Sequence, residues 1–183
     1  MERVLATTRT DEKMSFTRLD PAALVRSAVE LLSARAEQRN VTLAMDDSIH
    51  DAELPEVSWD AEAVRRALLN LLDNAIKHGR EDGHVEVHVA VERDSVRLSV
   101  RDDGPGIRRL DRKRLFGKFE RGGTETTGTG LGLYVVDRVA RAHGGRVDLV
   151  TDEKRGSTFT LVLPLVPPGA TMATGAKSPE ASA

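Results

Sequence analysis

Asn70-Leu71-Leu72-Asp73-Asn74-Ala75-Ile76-Lys77-His78 is the stretch on which the fold turns. It closes a run that starts after Trp59, with Asp60 placed as an N-cap, and stops at Gly79. Val64, Leu68, Leu71, Leu72, Ala75 and Ile76 share one helical face. Asn70, Asn74 and Lys77/His78 recur at i, i+4 and i+7/i+8, a polar stripe beside that face. Such a helix needs a second layer to cover its apolar face, and the flanking residues supply one.

Downstream, Val85, Val87, Val89 and Val91 alternate, as do Val96, Leu98 and Val100. With a tight turn at Asp94-Ser95, these runs predict an antiparallel hairpin. Upstream, Asp20-Pro21 reads as an N-cap and first helical residue. Leu24, Val25, Ala28, Val29, Leu31, Leu32 and Ala36 continue at helical spacing, so residues 20–39 form a helix that Asn40 ends. Residues 41–45 read as a short strand and 46–55 as a polar loop. Residues 104–128 are rich in Gly, Arg and Lys and read as a loop with a short helix near 110–115. A third long helix is expected over about 129–143, ended by Gly144-Gly145, then strands at 146–151 and 157–163. The tail from Pro164 has the Pro, Ala, Gly, Ser and Thr content of a disordered segment. The order predicts an α+β, two-layer sandwich, a mixed sheet covered by helices on one face.

Composition narrows the classes. At 183 residues the chain is one domain, or one with appendages. A net charge of −2 offers no basic stripe for nucleic acid, and 3% aromatics leave no stacking platform for single strands. The absence of cysteine excludes disulfide and thiolate chemistry. No apolar run approaches the roughly 18 residues of a membrane span, and Met1-Glu2-Arg3-Val4 does not open a signal peptide. The segment therefore reads as cytoplasmic, without membrane contact of its own.

Asp102 continues the alternation of Val96, Leu98 and Val100, so it points toward the core. A carboxylate there needs hydrogen-bond partners. An exocyclic base amine is a suitable donor, with Thr158 sharing the site; backbone amides of the following turn are the structural alternative. Asp103 faces the other way and reads as solvated. Gly104 and Gly106, followed by Ile107, let a planar ring approach the backbone. Gly128-Thr129-Gly130-Leu131-Gly132-Leu133 sits where the third helix begins, and helix N-termini present free amides to phosphate. Asn70 and Asn74, one turn apart, can offer oxygens to a magnesium ion that keeps most of its waters. Lys77, Arg114, Lys118 and Arg121 are candidate phosphate contacts. Together these features predict a site for a magnesium-bound nucleoside triphosphate. His84, Glu86 and His88 share a strand face, where solvation is the simpler reading than a metal site, and His50 and His143 lack any partner pattern.

Read as a set, the segments resemble the catalytic ATP-binding domain of bacterial sensor histidine kinases, within the gyrase, Hsp90, histidine-kinase and MutL ATPase superfamily. Asn70 to His78 resembles the N box and Asp102 to Gly106 the G1 box. Leu115-Phe116, Phe119 and Arg121 resemble the F box, and Gly128 to Leu133 the G2 box. Gly156-Ser157-Thr158-Phe159 resembles the start of the family's last strand. The resemblance covers residues 18–165 and implies a Bergerat sandwich, with ATP and Mg2+ as cofactors. It implies that Asn74 with Asn70 holds the metal, that Asp102 reads adenine, and that Lys77, His78 and Arg121 contact phosphates. Gly104, Gly106, Ile107, Gly128, Thr129, Gly130, Leu131, Gly132, Leu133 and Thr158 would complete the nucleotide site, with residues 107–128 as the ATP lid.

In hydrolysing members of the superfamily an N-box glutamate activates water. Asn70 stands at that position and cannot serve as a general base, which favours transfer to a strong nucleophile. None of the five histidines has the context of the family's phosphoacceptor. The resemblance therefore implies a histidine-bearing dimerisation domain, in cis upstream or in trans, and through it a response regulator. Residues 1–17 would be the remnant of that domain's helix and linker, 18–165 the catalytic domain, and 166–183 the tail. The alternatives are a stand-alone protein-serine kinase of the anti-sigma-factor type and a non-catalytic nucleotide-binding module.

Overall fold

The computed structural model describes residues 14–46, 54–112, 114–117, 131–168 and 170. Strand β1 (Thr17–Leu19) leads into helix α1 (Pro21–Glu37), then β2 (Thr42–Met45) and β3 (Val57–Trp59). Helix α2 (Ala61–His78), the hairpin β4 (His84–Glu92) and β5 (Ser95–Asp102), helix α3 (Gly132–Ala142), β6 (Arg146–Asp152) and β7 (Gly156–Pro164) follow.

Local chemistry sets these boundaries. The Asp20 carboxylate accepts from Ala22 N (2.8 Å) and Ala23 N (3.2 Å), and Pro21 occupies the first turn where no amide partner is missed. Asn40 adopts φ 53° and the Val41 amide returns to Ala36 O at 2.9 Å, turning the chain out of α1. Asp60 caps α2 through Ala63 N (2.9 Å). At the other end Gly79 N donates to Ala75 O (2.8 Å), while Arg39 from the end of α1 reaches Lys77 O (3.2 Å).

The main sheet has the order β2-β4-β5-β7-β6, with β2 parallel to β4 and every other pair antiparallel. Val85, Val87, Val96, Leu98, Val100, Leu161 and Leu163 line its buried face, against Leu68, Leu71, Leu72 and Ile76 of α2 and Val25 and Ala28 of α1. Each of the larger side chains contributes about 1.5–3 kcal/mol by leaving water. Among the described residues the helices lie on this one face, as the order of elements predicts.

Three expectations need correction. A second, two-stranded sheet pairs β1 with β3, where the sequence pattern predicted no strands. It is fastened by side chains: Trp59 Nε1 donates to Pro164 O (2.7 Å), and Ser15 N donates to Asp60 Oδ2 (2.9 Å). The hairpin turns at Arg93-Asp94 rather than Asp94-Ser95, with Arg93 at φ 48°. Near 110–115 the described residues form successive turns, with Asp111 N on Arg108 O and Arg114 N on Asp111 O (both 3.0 Å), instead of a helix. The expected tail over 166–183 falls mostly outside the described residues.

Candidate functional site

β5 delivers Asp102 to the buried face, as its alternation predicts, and leaves it 7% exposed. Its Oδ1 accepts from Gly104 N (2.9 Å) and Ser157 N (3.3 Å), while Oδ2 has no hydrogen bond among the described residues. Burial pushes the carboxyl above its ordinary range; the two backbone amides oppose that shift and the charge of Asp103 adds to it. Backbone satisfaction and an open acceptor thus coexist on one group, one oxygen for each. Asp103 is half-buried rather than fully solvated, and its Oδ1 is buried without a partner among the described residues.

The strand register decides which neighbour shares the Asp102 face. Asp102 stands opposite Ser157, and Arg101 opposite Thr158. Directly opposed residues point to the same face. Thr158 therefore lies on the open face, and the expectation that it shares the Asp102 site is corrected to Ser157. Parity alone contains the signal: Ser157 keeps step with Phe159, Leu161 and Leu163, which are buried.

The turn after β5 is anchored on the β6–β7 hairpin. Gly106 has φ +71°, and a Cβ there would fall 2.1 Å from Asp152 O, so the turn accepts only glycine at this point. Ile107 N donates to Thr151 Oγ1 (2.9 Å), Lys154 N to Pro105 O (2.8 Å), and Arg112 bridges Ile107 O (3.2 Å) and Thr151 O (3.3 Å). Gly104 lies against the C-terminal end of α2, where its Cβ position is 2.5 Å from His78 O.

On α2 the polar stripe is half-buried to exposed. Asn70 Nδ2 donates back to Arg66 O (3.0 Å), which leaves Oδ1 as its outward acceptor. Asn74 has no side-chain partner among the described residues and can take a ligand. Lys77 is ion-paired with Asp73, which also holds Arg35 (3.0 Å). Partly exposed pairs of this kind are worth about 0–1 kcal/mol, so Lys77 can exchange Asp73 for another anion at little cost. The His78 ring stays neutral more readily than a free histidine, because desolvation and then the Lys77 charge disfavour its proton.

Helix α3 begins beside this stripe. Gly132 is its first residue, and a Cβ there would lie 3.3 Å from Asn70 Oδ1. Leu131 occupies the N-cap without a side-chain cap bond, so amides at this end are not capped by that residue. Leu133 is half-buried in the first turn. Arg121, Gly128, Thr129 and Gly130 lie outside the described residues, as do Lys118 and Phe119. α2 thus touches the turn after β5 at His78 and Gly104, beside Asp102, and the start of α3 at Asn70 and Gly132, while Gly106 and Ile107 are held by the β6–β7 hairpin.

The remaining histidines that are described have other roles. His143 is fully buried; its Nδ1–H donates to Val139 O (2.8 Å), and its Nε2 accepts from Asp60 N (3.1 Å). Those partners fix the neutral tautomer, and desolvation lowers its affinity for a proton. His88 is bracketed by Asp46 (2.8 Å) and Glu86 (3.0 Å), and no His, Asp or Glu group among the described residues has metal-binding geometry. No described helix is long and apolar enough to cross a membrane.

The fold and sequence are similar to those of known proteins. The adaptive-response sensory kinase SasA of Synechococcus sp. (strain CC9902) is 33% identical over 165 residues, 88% of this chain and 42% of that one. The chain thus spans less than half the length of this curated relative. Full-length ShkA in complex with AMPPNP superposes with a TM-score of 0.74 at 33% identity, covering 86% of this chain and 33% of that one. The nucleotide-free catalytic domain of histidine kinase ThkA gives a TM-score of 0.75 at 28% identity, covering 84% of this chain and 98% of that one. Residues 59–167 match the histidine kinase-, DNA gyrase B- and HSP90-like ATPases, and the chain belongs to that family.

Proposed function

We propose that this domain binds Mg-ATP and directs its γ-phosphate to a histidine on a dimerisation domain, from which it passes to a response regulator. The observation that carries the reading is Asp102: a buried carboxylate with Oδ1 held by two backbone amides and Oδ2 left to accept. An adenine amine is the donor that suits it, and Ser157 on the same face replaces Thr158 in this role. The start of α3 against Asn70 supplies helix-end amides near the carboxamides of α2.

The hard oxygens of Asn70 and Asn74 fit a magnesium ion that retains its waters, and Asn70 is already oriented by Arg66 O. Such an ion would neutralise phosphate charge. The resemblance supports Lys77, His78 and Arg121 as phosphate contacts, with Lys77 exchanging its bond to Asp73. In the transfer, the imidazole nitrogen forms a P–N bond as the bond to the bridging oxygen breaks and ADP departs. The domain contributes positioning and charge stabilisation rather than covalent chemistry. Asn70 offers no base to activate water, so a histidine outcompetes hydrolysis.

γ-Labelled ATP mixed with this chain and a purified histidine-bearing dimerisation domain from a matching sensor kinase tests the proposal. Label is expected on the added domain and absent from this chain. Labelling at His50, His84 or His88 would overturn it, and transfer to a serine of a partner would favour the serine-kinase reading.

A further inference from the structure

Thr151 is outside every motif singled out in the sequence, yet its hydroxyl joins the separate parts of the base site. Thr151 Oγ1 accepts from Ile107 N (2.9 Å), lies 3.2 Å from Gly156 O, and lies 3.0 Å from Ser157 Oγ. Ser157 in turn donates its amide to the Asp102 carboxylate (3.3 Å). The three side chains share one face of adjacent strands, since Asp102 opposes Ser157 and Ser157 opposes Thr151.

A hydroxyl has one proton to give. If Thr151 gives it to the Gly156 carbonyl, the Ser157 hydroxyl must donate to Thr151 and presents only lone pairs elsewhere. If Thr151 gives it to Ser157, the Ser157 proton is released toward a ligand. Only the second arrangement sets a donor beside the acceptor of Asp102. Adenine carries the complementary pair, an amine donor next to a ring-nitrogen acceptor. Guanine carries the reverse, a carbonyl next to an N–H.

We propose that Thr151 is a positioning residue that sets base preference, by passing its proton to Ser157 when adenine is bound and by holding Ile107 at the edge of the site. This rests on the nucleotide reading of Asp102. Removing the hydroxyl leaves the local backbone held, because Arg112 binds the main-chain carbonyls of Ile107 and Thr151 independently of the side chain.

The test is equilibrium binding of ATP and GTP to the wild type, Thr151→Val and Thr151→Ser, with amide exchange at Ile107 measured in parallel. Thr151→Val is expected to weaken ATP about 10-fold, the scale of one net hydrogen bond, and GTP less than about threefold. Thr151→Ser should restore the wild-type ratio, and Ile107 should exchange faster only in the valine variant. Thr151→Ala removes the same hydroxyl if valine does not fold. In a Ser157→Ala background, loss of the Thr151 hydroxyl should change the ATP/GTP ratio no further. Equal weakening of both nucleotides, or unchanged ATP affinity, would overturn the role of Thr151. A wild type that binds neither nucleotide would instead remove the reading on which it rests.

Discussion

Asp102→Asn separates the binding role proposed for this carboxylate from its structural one. Asparagine keeps an oxygen for Gly104 N and Ser157 N, now at 2.9 and 3.3 Å, so the turn after β5 retains its anchor. What changes is the second atom, where an NH2 donor replaces an open acceptor. An arriving base amine then meets a donor. The loss is that of a hydrogen bond to a charged group, roughly 1.5–3 kcal/mol, or about 10- to 150-fold in Kd. Stability should move the other way. Burial raises the carboxyl above the usual value of about 3.9, so between that value and the raised one the folded state holds more protons than the unfolded state. Ionisation at neutral pH therefore costs stability, which the neutral amide does not incur. Calorimetric titration with ATP and a thermal melt at pH 7 provide both readouts. Weaker binding with an equal or higher Tm is expected. Wild-type affinity, or a fall in Tm that accompanies the binding loss, would refute the assignment.

His143, buried neutral, gives a second prediction. Its lowered proton affinity means that the unfolded state takes up the extra proton as pH falls below about 6.5, so stability declines with falling pH in that window. Melts between pH 7 and 5 should show the decline in the wild type and a flatter profile in His143→Gln; identical profiles would remove His143 as the cause. Gly106→Ala must abandon φ +71° or displace Asp152 O, costing at least about 1–3 kcal/mol. Denaturant unfolding measures the cost, and a variant as stable as the wild type would show that the turn has room to relax.

The long elements were legible because their periodicity is unbroken. α2 combines an N-cap, a continuous apolar face and a terminal glycine, and all three lie where the pattern places them. Asp102 was legible for the same reason, since β5 alternates without interruption as far as that residue. Thr158 is one position out of step, because the period of two in β7 puts Ser157 on the Asp102 face and Thr158 on the opposite one. β1 and β3 span only three residues each, too short for alternation to emerge, and depend on Trp59 and Asp60 contacts far away in sequence. The turns near 110–115 carry helix-compatible residues, but the Arg112 guanidinium is committed to Ile107 O and Thr151 O. Thr151 carries no motif; only the register of β6 on β7 brings it to Ser157.

The small β1–β3 sheet has a mechanical consequence. Through Ser15, Trp59 and the Leu165 carbonyl bonded by Ser58 N (2.8 Å), the incoming and outgoing chain are clasped together at the start of α2. Pro164 lies opposite Ser95 and Ser157 opposite Asp102, so that clasp and the proposed base site are seven strand positions apart, roughly 23 Å. A body attached at either side pulls on a point remote from the nucleotide. Two elements lead away from that clasp: α2 from Asp60 toward Asn70, Asn74 and Lys77, and β7 from Pro164 toward Ser157, so tension there reaches both sides of the site through them.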